Sequence, residues 1–187
     1  MKHNYKKIIR CLNVFTRIIL AFLGLAFIGS VFYVVDILSG NIKENLINDD
    51  SMFILQGHTV VADSAIRNFP RVQYALSFIC GISLMFVGAY IALRAVQNIL
   101  QNVLKGQVFN LKNAQNIKQI VWAQIWLVCS DPFLFWTNHL TETHLGRSSN
   151  TFQSSFIGDS ITLLVIYVVY IAFKMAVDLK KENSLTI

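Results

Sequence analysis

Three carboxylates stand at or inside long apolar stretches, where an ionisable group is costly and is a functional suspect by default. Asp36 follows the stretch 18–35, Asp131 sits within 120–136, and Asp159 is two residues into the stretch that opens at Ile157. Joined by His58, His139 and His144, they have the chemistry of a cation or proton site, since carboxylate and imidazole suit divalent metals. No H-x-x-x-H spacing fixes such a set. Asp36 and Asp159 equally suit interfacial positions or helix caps. Ser130-Asp131-Pro132 equally suits a break, with Asp131 capping a short outer helical segment and Pro132 in its first turn. Other chemistry is missing from the sequence: it has no G-x-x-x-x-G-K-[ST], H-E-x-x-H, C-x-x-C or G-x-S-x-G. The expectation is therefore a non-enzyme with no cofactor and no fixed metal.

Composition says what must position these groups. Of 187 residues, 55% are hydrophobic and only 14% charged, against about 25% charged in ordinary soluble domains. The apolar residues gather into four blocks, each near the ~20 residues that cross a hydrocarbon core as helix. The predicted spans are about 18–38, 72–93, 117–137 and 157–177, within one membrane domain. A basic start makes a signal peptide the rival reading of the first block. Its apolar run exceeds the usual signal core and no A-x-A-like site follows, so a retained helix is expected.

Basic residues then set the orientation, because short cytoplasmic loops collect Lys and Arg. Twelve of the sixteen fall on one side: five by Arg17, then Arg94, Lys105, Lys112, Lys118, Lys174, Lys180 and Lys181. Lys43, Arg67, Arg71 and Arg147 are left for the other side, mixed with acids. Both termini are thus expected in the cytoplasm. Such dispersed charge fits snorkelling side chains and anionic lipid, with the bilayer as first partner and no direct nucleic-acid binding. Trp122, Trp126 and Trp136 near the ends of the third span agree with that frame.

Between the second and third spans the pattern changes from apolar to amphipathic. Val96, Ile99, Leu100, Val103 and Leu104 recur at helical spacing, opposite Gln97, Asn98, Gln101 and Asn102. The second span is expected to continue for about three turns and end at Gly106. A new helix begins near Asn110 as its cap, giving a cytoplasmic helical hairpin over 94–119. In it Gly106 permits positive φ, Phe109 tucks between the two helices and Asn113 bonds backbone at the turn.

The residues Gly106, Phe109, Asn113, Ile117 and Ile120 form G-x-x-F-x-x-x-N-x-x-x-I-x-x-I. This resembles the signature of a bacterial membrane family catalogued as domain of unknown function 2975, whose members share the four-span layout. Val108 and Lys112 depart from the Pro and the acidic residue usual at those positions. The resemblance implies a bacterial cytoplasmic-membrane protein without established catalysis, and a regulatory partner by analogy with members encoded beside small helix-turn-helix regulators.

Outside the spans, the loops 39–71 and 138–156 are the larger soluble parts. The run Met52–Ala62 reads as two β-prone pieces around Gln56-Gly57, a hairpin, to which Thr151–Phe156 adds a strand. The expected fold is therefore an all-α membrane protein: a four-helix bundle with a cytoplasmic helical hairpin and a small extracytoplasmic β-containing lid. Cys11, Cys80 and Cys129 read as apolar fillers, and Gly24, Gly29, Gly81 and Gly88 as notches for close helix packing. Two functions stand. The first is an anchor, sensor or regulatory interaction protein working through the motif Gly106, Phe109, Asn113, Ile117 and Ile120, with a homo-oligomeric role if no other partner exists. The alternative is a transport or ion-handling subunit built on Asp131, Asp36 and Asp159. Few polar residues mark the first and second spans, which favours the first function.

Overall fold

A computed structural model describes residues 2–47, 56–57, 60–148 and 155–183. Four long helices dominate: α1 (Lys2–Ser39), α3 (Arg71–Leu104), α4 (Leu111–Leu145) and α5 (Ser155–Asn183). All four are long and apolar enough to cross a membrane. A five-residue π-helical turn (Lys43–Ile47), β1 (Gln56–Gly57) and the short helix α2 (Asp63–Arg67) lie between α1 and α3, and β2 (Arg147–Ser148) follows α4.

The expected lid is corrected. The strand pairing among the described residues is two residues long: Gln56 opposes Ser148 and Gly57 opposes Arg147, antiparallel. Gln56-Gly57 thus pairs with the segment after α4. Ser155 and Phe156, expected in a strand, begin α5. A two-residue ladder buries no face of its own, so no β-containing lid is seen among the described residues. Residues 48–55, 58–59 and 149–154, including His58, lie outside the described residues. Within the expected loop 39–71, the described pieces Lys43–Ile47 and Asp63–Arg67 are helical, and Ile42, Leu46 and Ile47 recur about one turn apart and are buried.

The chain divides into two compact units. One comprises Leu25–Phe86 and Leu127–Gly158. Its core joins Tyr33, Val34 and Ile37 of α1, Tyr74, Phe78 and Ile82 of α3, and Leu134, Leu140 and Leu145 of α4, with Ile42, Leu46 and Phe69 from the connection. The buried hydroxyls of Tyr33 and Tyr74 lie 3.0 Å apart and hydrogen-bond, which satisfies two polar atoms in an apolar setting. A Cβ built on Gly81 would meet Leu134 Cδ2 at 2.8 Å, so α3 and α4 approach closely there. Gly24, in the other unit, has nothing within 4 Å and is no packing notch.

Of the two readings of Ser130-Asp131-Pro132, the break is not what the structure shows. α4 runs unbroken with Pro132 inside it, although Pro can donate no bond to the carbonyl of Val128. Ser130, Asp131, Leu134, Thr137, Asn138, Thr141 and Leu145 continue one buried stripe at three- and four-residue spacing through the proline. Packing along that stripe carries the helix past the missing bond.

The second unit comprises Met1–Gly24, Val87–Trp126 and Asp159–Ile187. It holds twelve basic and three acidic residues, a net +9, whereas the first holds four basic and seven acidic, a net −3. The twelve are the same residues that the sequence pattern assigns to one side.

Candidate functional site

The hairpin lies within the basic unit, and its turn is built almost wholly from neutral groups. α3 ends in a Schellman motif: the Gly106 N–H donates to the Val103 carbonyl at 2.9 Å and the Gln107 N–H to the Asn102 carbonyl at 2.9 Å. Gly106 supplies the required φ of 78°. Nothing lies within 4 Å of a Cβ placed on it, so the demand is conformational and not spatial. Asn110 then caps α4, its side-chain oxygen accepting from the Asn113 N–H at 2.7 Å.

Asn113 ties these pieces together. Only 1% exposed, it donates its amide to the carbonyls of Gln107 at 2.9 Å and Val108 at 2.7 Å. Its oxygen accepts from the Asn102 amide at 2.7 Å. One side chain therefore holds the loop and the last turns of α3 against the first turn of α4. Ile117 and Ile120 follow on α4 and are half-buried.

Phe109 is placed differently from expectation. Its ring does not tuck between α3 and α4; it is 49% exposed and stacks on Phe173 of α5, centroids 5.5 Å apart. The backbone carbonyl of Phe109 also lies 3.5 Å from Lys180 Nζ. Val108 and Leu111 beside it are exposed, as are Lys105 and Lys112. The apolar tip is thus flanked by cations.

The three carboxylates are divided between the two units. Asp36 ends α1 as a clamp, accepting from the side-chain amides of Asn41, at 2.5 Å, and Asn45. Asp131 is 6% exposed on the buried stripe of α4. Asp159 belongs to the other unit, and its backbone carbonyl accepts from Gln124 Nε2 at 3.2 Å. His139 packs beside Trp136, and the His144 ring meets Phe69 edge-on. Among the described residues no three of His, Cys, Asp and Glu gather as a metal-ligand set.

A family model described as protein of unknown function, DUF2975, matches residues 57–187. The chain belongs to this family. The matched part of this DUF2975 protein contains the whole hairpin and three of the four long helices. No curated protein and no solved structure matches the chain.

Sequence reasoning missed the polar stripe of this DUF2975 member's α4. It placed 138–156 in an outer loop, yet Thr137, Asn138 and Thr141 are buried on a helix. Ser130 donates to the Leu127 carbonyl, Thr137 to Phe133 and Thr141 to Asn138, so each hydroxyl is satisfied by its own helix. The recurrence of small polar residues three and four apart was the available signal.

Proposed function

We propose that this DUF2975 protein is a non-enzymatic integral protein of a bacterial cytoplasmic membrane, both termini inside, whose hairpin 94–119 docks a regulatory protein. The observation that carries this reading is the contrast at the turn. Asn113 and its partners fix the backbone, while Val108, Phe109 and Leu111 stay exposed between Lys105 and Lys112. An apolar tip on a preorganised support is what an interface anchor requires, since ordering costs are met before binding. Photo-crosslinking side chains at Gln115 and Gln119, both exposed, test it in native membranes. One identified heterologous protein, lost on Phe109→Ala at normal membrane abundance, is the expected result. Capture of further copies of the same chain alone would replace docking by a homo-oligomeric role.

A second reading, an ion-handling subunit, draws on the buried stripe Ser130, Asp131, Thr137, Asn138 and Thr141. It predicts cation-dependent thermal protection of the purified protein that Asp131→Asn removes. No protection by any alkali or divalent cation would eliminate it. Docking ranks first because no multi-residue ligand set accompanies Asp131 among the described residues.

A further inference from the structure

Within the basic unit, two neighbouring helices imply different surroundings at one level. From Ser160 to Phe173 α5 carries no charge, and Ile161, Leu164, Val165, Val168 and Ile171 are exposed. A face this apolar and this bare matches hydrocarbon. Antiparallel beside it lies the first part of α4, with Asp159 against Gln124 and Phe173 against Phe109. That part of α4 exposes Lys112, Gln115, Lys118 and Gln119, side chains that match water.

The conflict is removed by translation along the helix axis. Moving α5 by eleven residues toward its own N-terminal end is about three turns, or ~16 Å. Such a step keeps the same face inward, because the half-buried Asp159, Leu163, Ile166, Tyr170 and Phe173 and the buried Val177 recur at three- and four-residue spacing. Tyr170 then replaces Asp159 opposite Gln124, and Lys174 comes within about two residues of the level of Lys118. In the observed register the apolar block of α4 and the run of α5 together cover about thirty residues of α4's length; after the shift they cover about twenty, close to the ~30 Å of a hydrocarbon core.

We propose that α5 has two registers against the hairpin, the observed one latched by the Phe109–Phe173 stack and a membrane-matched one about three turns away. Leaving the latch frees the Phe109 ring from its stack on Phe173. Where the hairpin docks a protein, as proposed above, the shift would gate that docking; this consequence rests on that reading, and the shift itself does not. Thin bilayers should favour the matched register and thick ones the latched register, because mismatch costs grow with each ångström of exposed apolar length.

The test uses the full chain, with Cys11, Cys80 and Cys129 replaced by serine, in phosphatidylcholine nanodiscs. Gln124→Cys is combined with Asp159→Cys to report the latched register and with Tyr170→Cys to report the matched one, using a short bifunctional methanethiosulfonate. Both pairs should crosslink. The 124–159 yield should fall and the 124–170 yield rise from dierucoyl to dimyristoyl lipid, and Phe109→Ala should raise 124–170 several-fold at fixed lipid. Absence of either pair, or yields that ignore acyl length, would overturn the two registers. Partner capture from Gln115 reads docking separately, so failure of one experiment leaves the other standing.

Discussion

Gly81→Ala measures how tightly α3 and α4 meet. The added methyl would lie 2.8 Å from Leu134 Cδ2, 2.9 Å from Leu134 Cγ and 3.1 Å from Phe133 Cβ. Leu134 is 5% exposed within the core and has little room to swing, and a Cβ moves only with its backbone. Overpacking of this kind costs about 1–3 kcal/mol, against which Ala regains roughly 1 kcal/mol of helix propensity over Gly. With two contacts under 3.0 Å the cost falls in the upper half of that range, so the expected net loss is about 1–2 kcal/mol, or roughly 2–8 °C in melting temperature for a chain of this size. Fluorescence-detected size-exclusion after a heating series, in one detergent, supplies the assay. Gly24→Ala is the control: nothing lies within 4 Å, so the propensity gain is unopposed and stability should hold or rise. Leu134→Ala opens space beside the new methyl, so the double variant should lose less than the sum of the two single losses. A Gly81→Ala protein as stable as the parent, or strict additivity with Leu134→Ala, would refute the close approach.

Asn113→Ala removes both donated bonds and the bond accepted from Asn102, and should cost about 1–3 kcal/mol. Asn113→Asp should be at least as damaging despite its shape, because it turns a carboxylate oxygen toward two carbonyls; faster hydrogen exchange at 105–113 checks both, and a tolerated Asp would sink the assignment. Gly106→Ala meets no atom but must hold a φ of 78°, for a loss of about 1–2 kcal/mol, with Gly106→Asn milder; equal melting temperatures for all three would show that the turn does not need the left-handed conformation. Glu at 105, 112 and 118 together should abolish partner capture from Gln115 and leave hydrogen exchange at the turn unchanged; disrupted exchange would show that the lysines hold the fold.

Much of the fold was legible because its signals are local. Four apolar blocks gave four long helices, and Gly106 and Asn110 marked the turn through conformation and capping, which depend on neighbours a few residues away. The stacking partner of Phe109 was not legible, since Phe173 lies far along the chain and resembles the other aromatics of α5. Thr137, Asn138 and Thr141 misled in the opposite way. Small polar residues in sequence read as loop, but buried hydroxyls bonded to their own helix are compatible with a membrane-depth interior. Around Gln56 the strand partner was not legible, because Arg147-Ser148 lies about ninety residues further along the chain.

The hairpin also separates structure from charge. Every bond that closes the turn comes from a backbone group or a side-chain amide. Lys105, Lys112 and Lys118 are exposed, and their side-chain ammonium groups enter no hydrogen bond or ion pair among the described residues. Closing the turn therefore requires none of these charges, and their placement answers to something outside the turn. Topology explains a count of basic residues on one side of a membrane, but any lysine beyond the last apolar turn would serve it equally. Two of these lysines instead bracket the exposed Val108, Phe109 and Leu111. On the docking reading proposed above, these charges would speed encounter and the apolar side chains would hold the partner. Of the twelve basic residues in this unit, Lys105 and Lys112 thus stand beside the tip with their charges outside the bonds that close the turn.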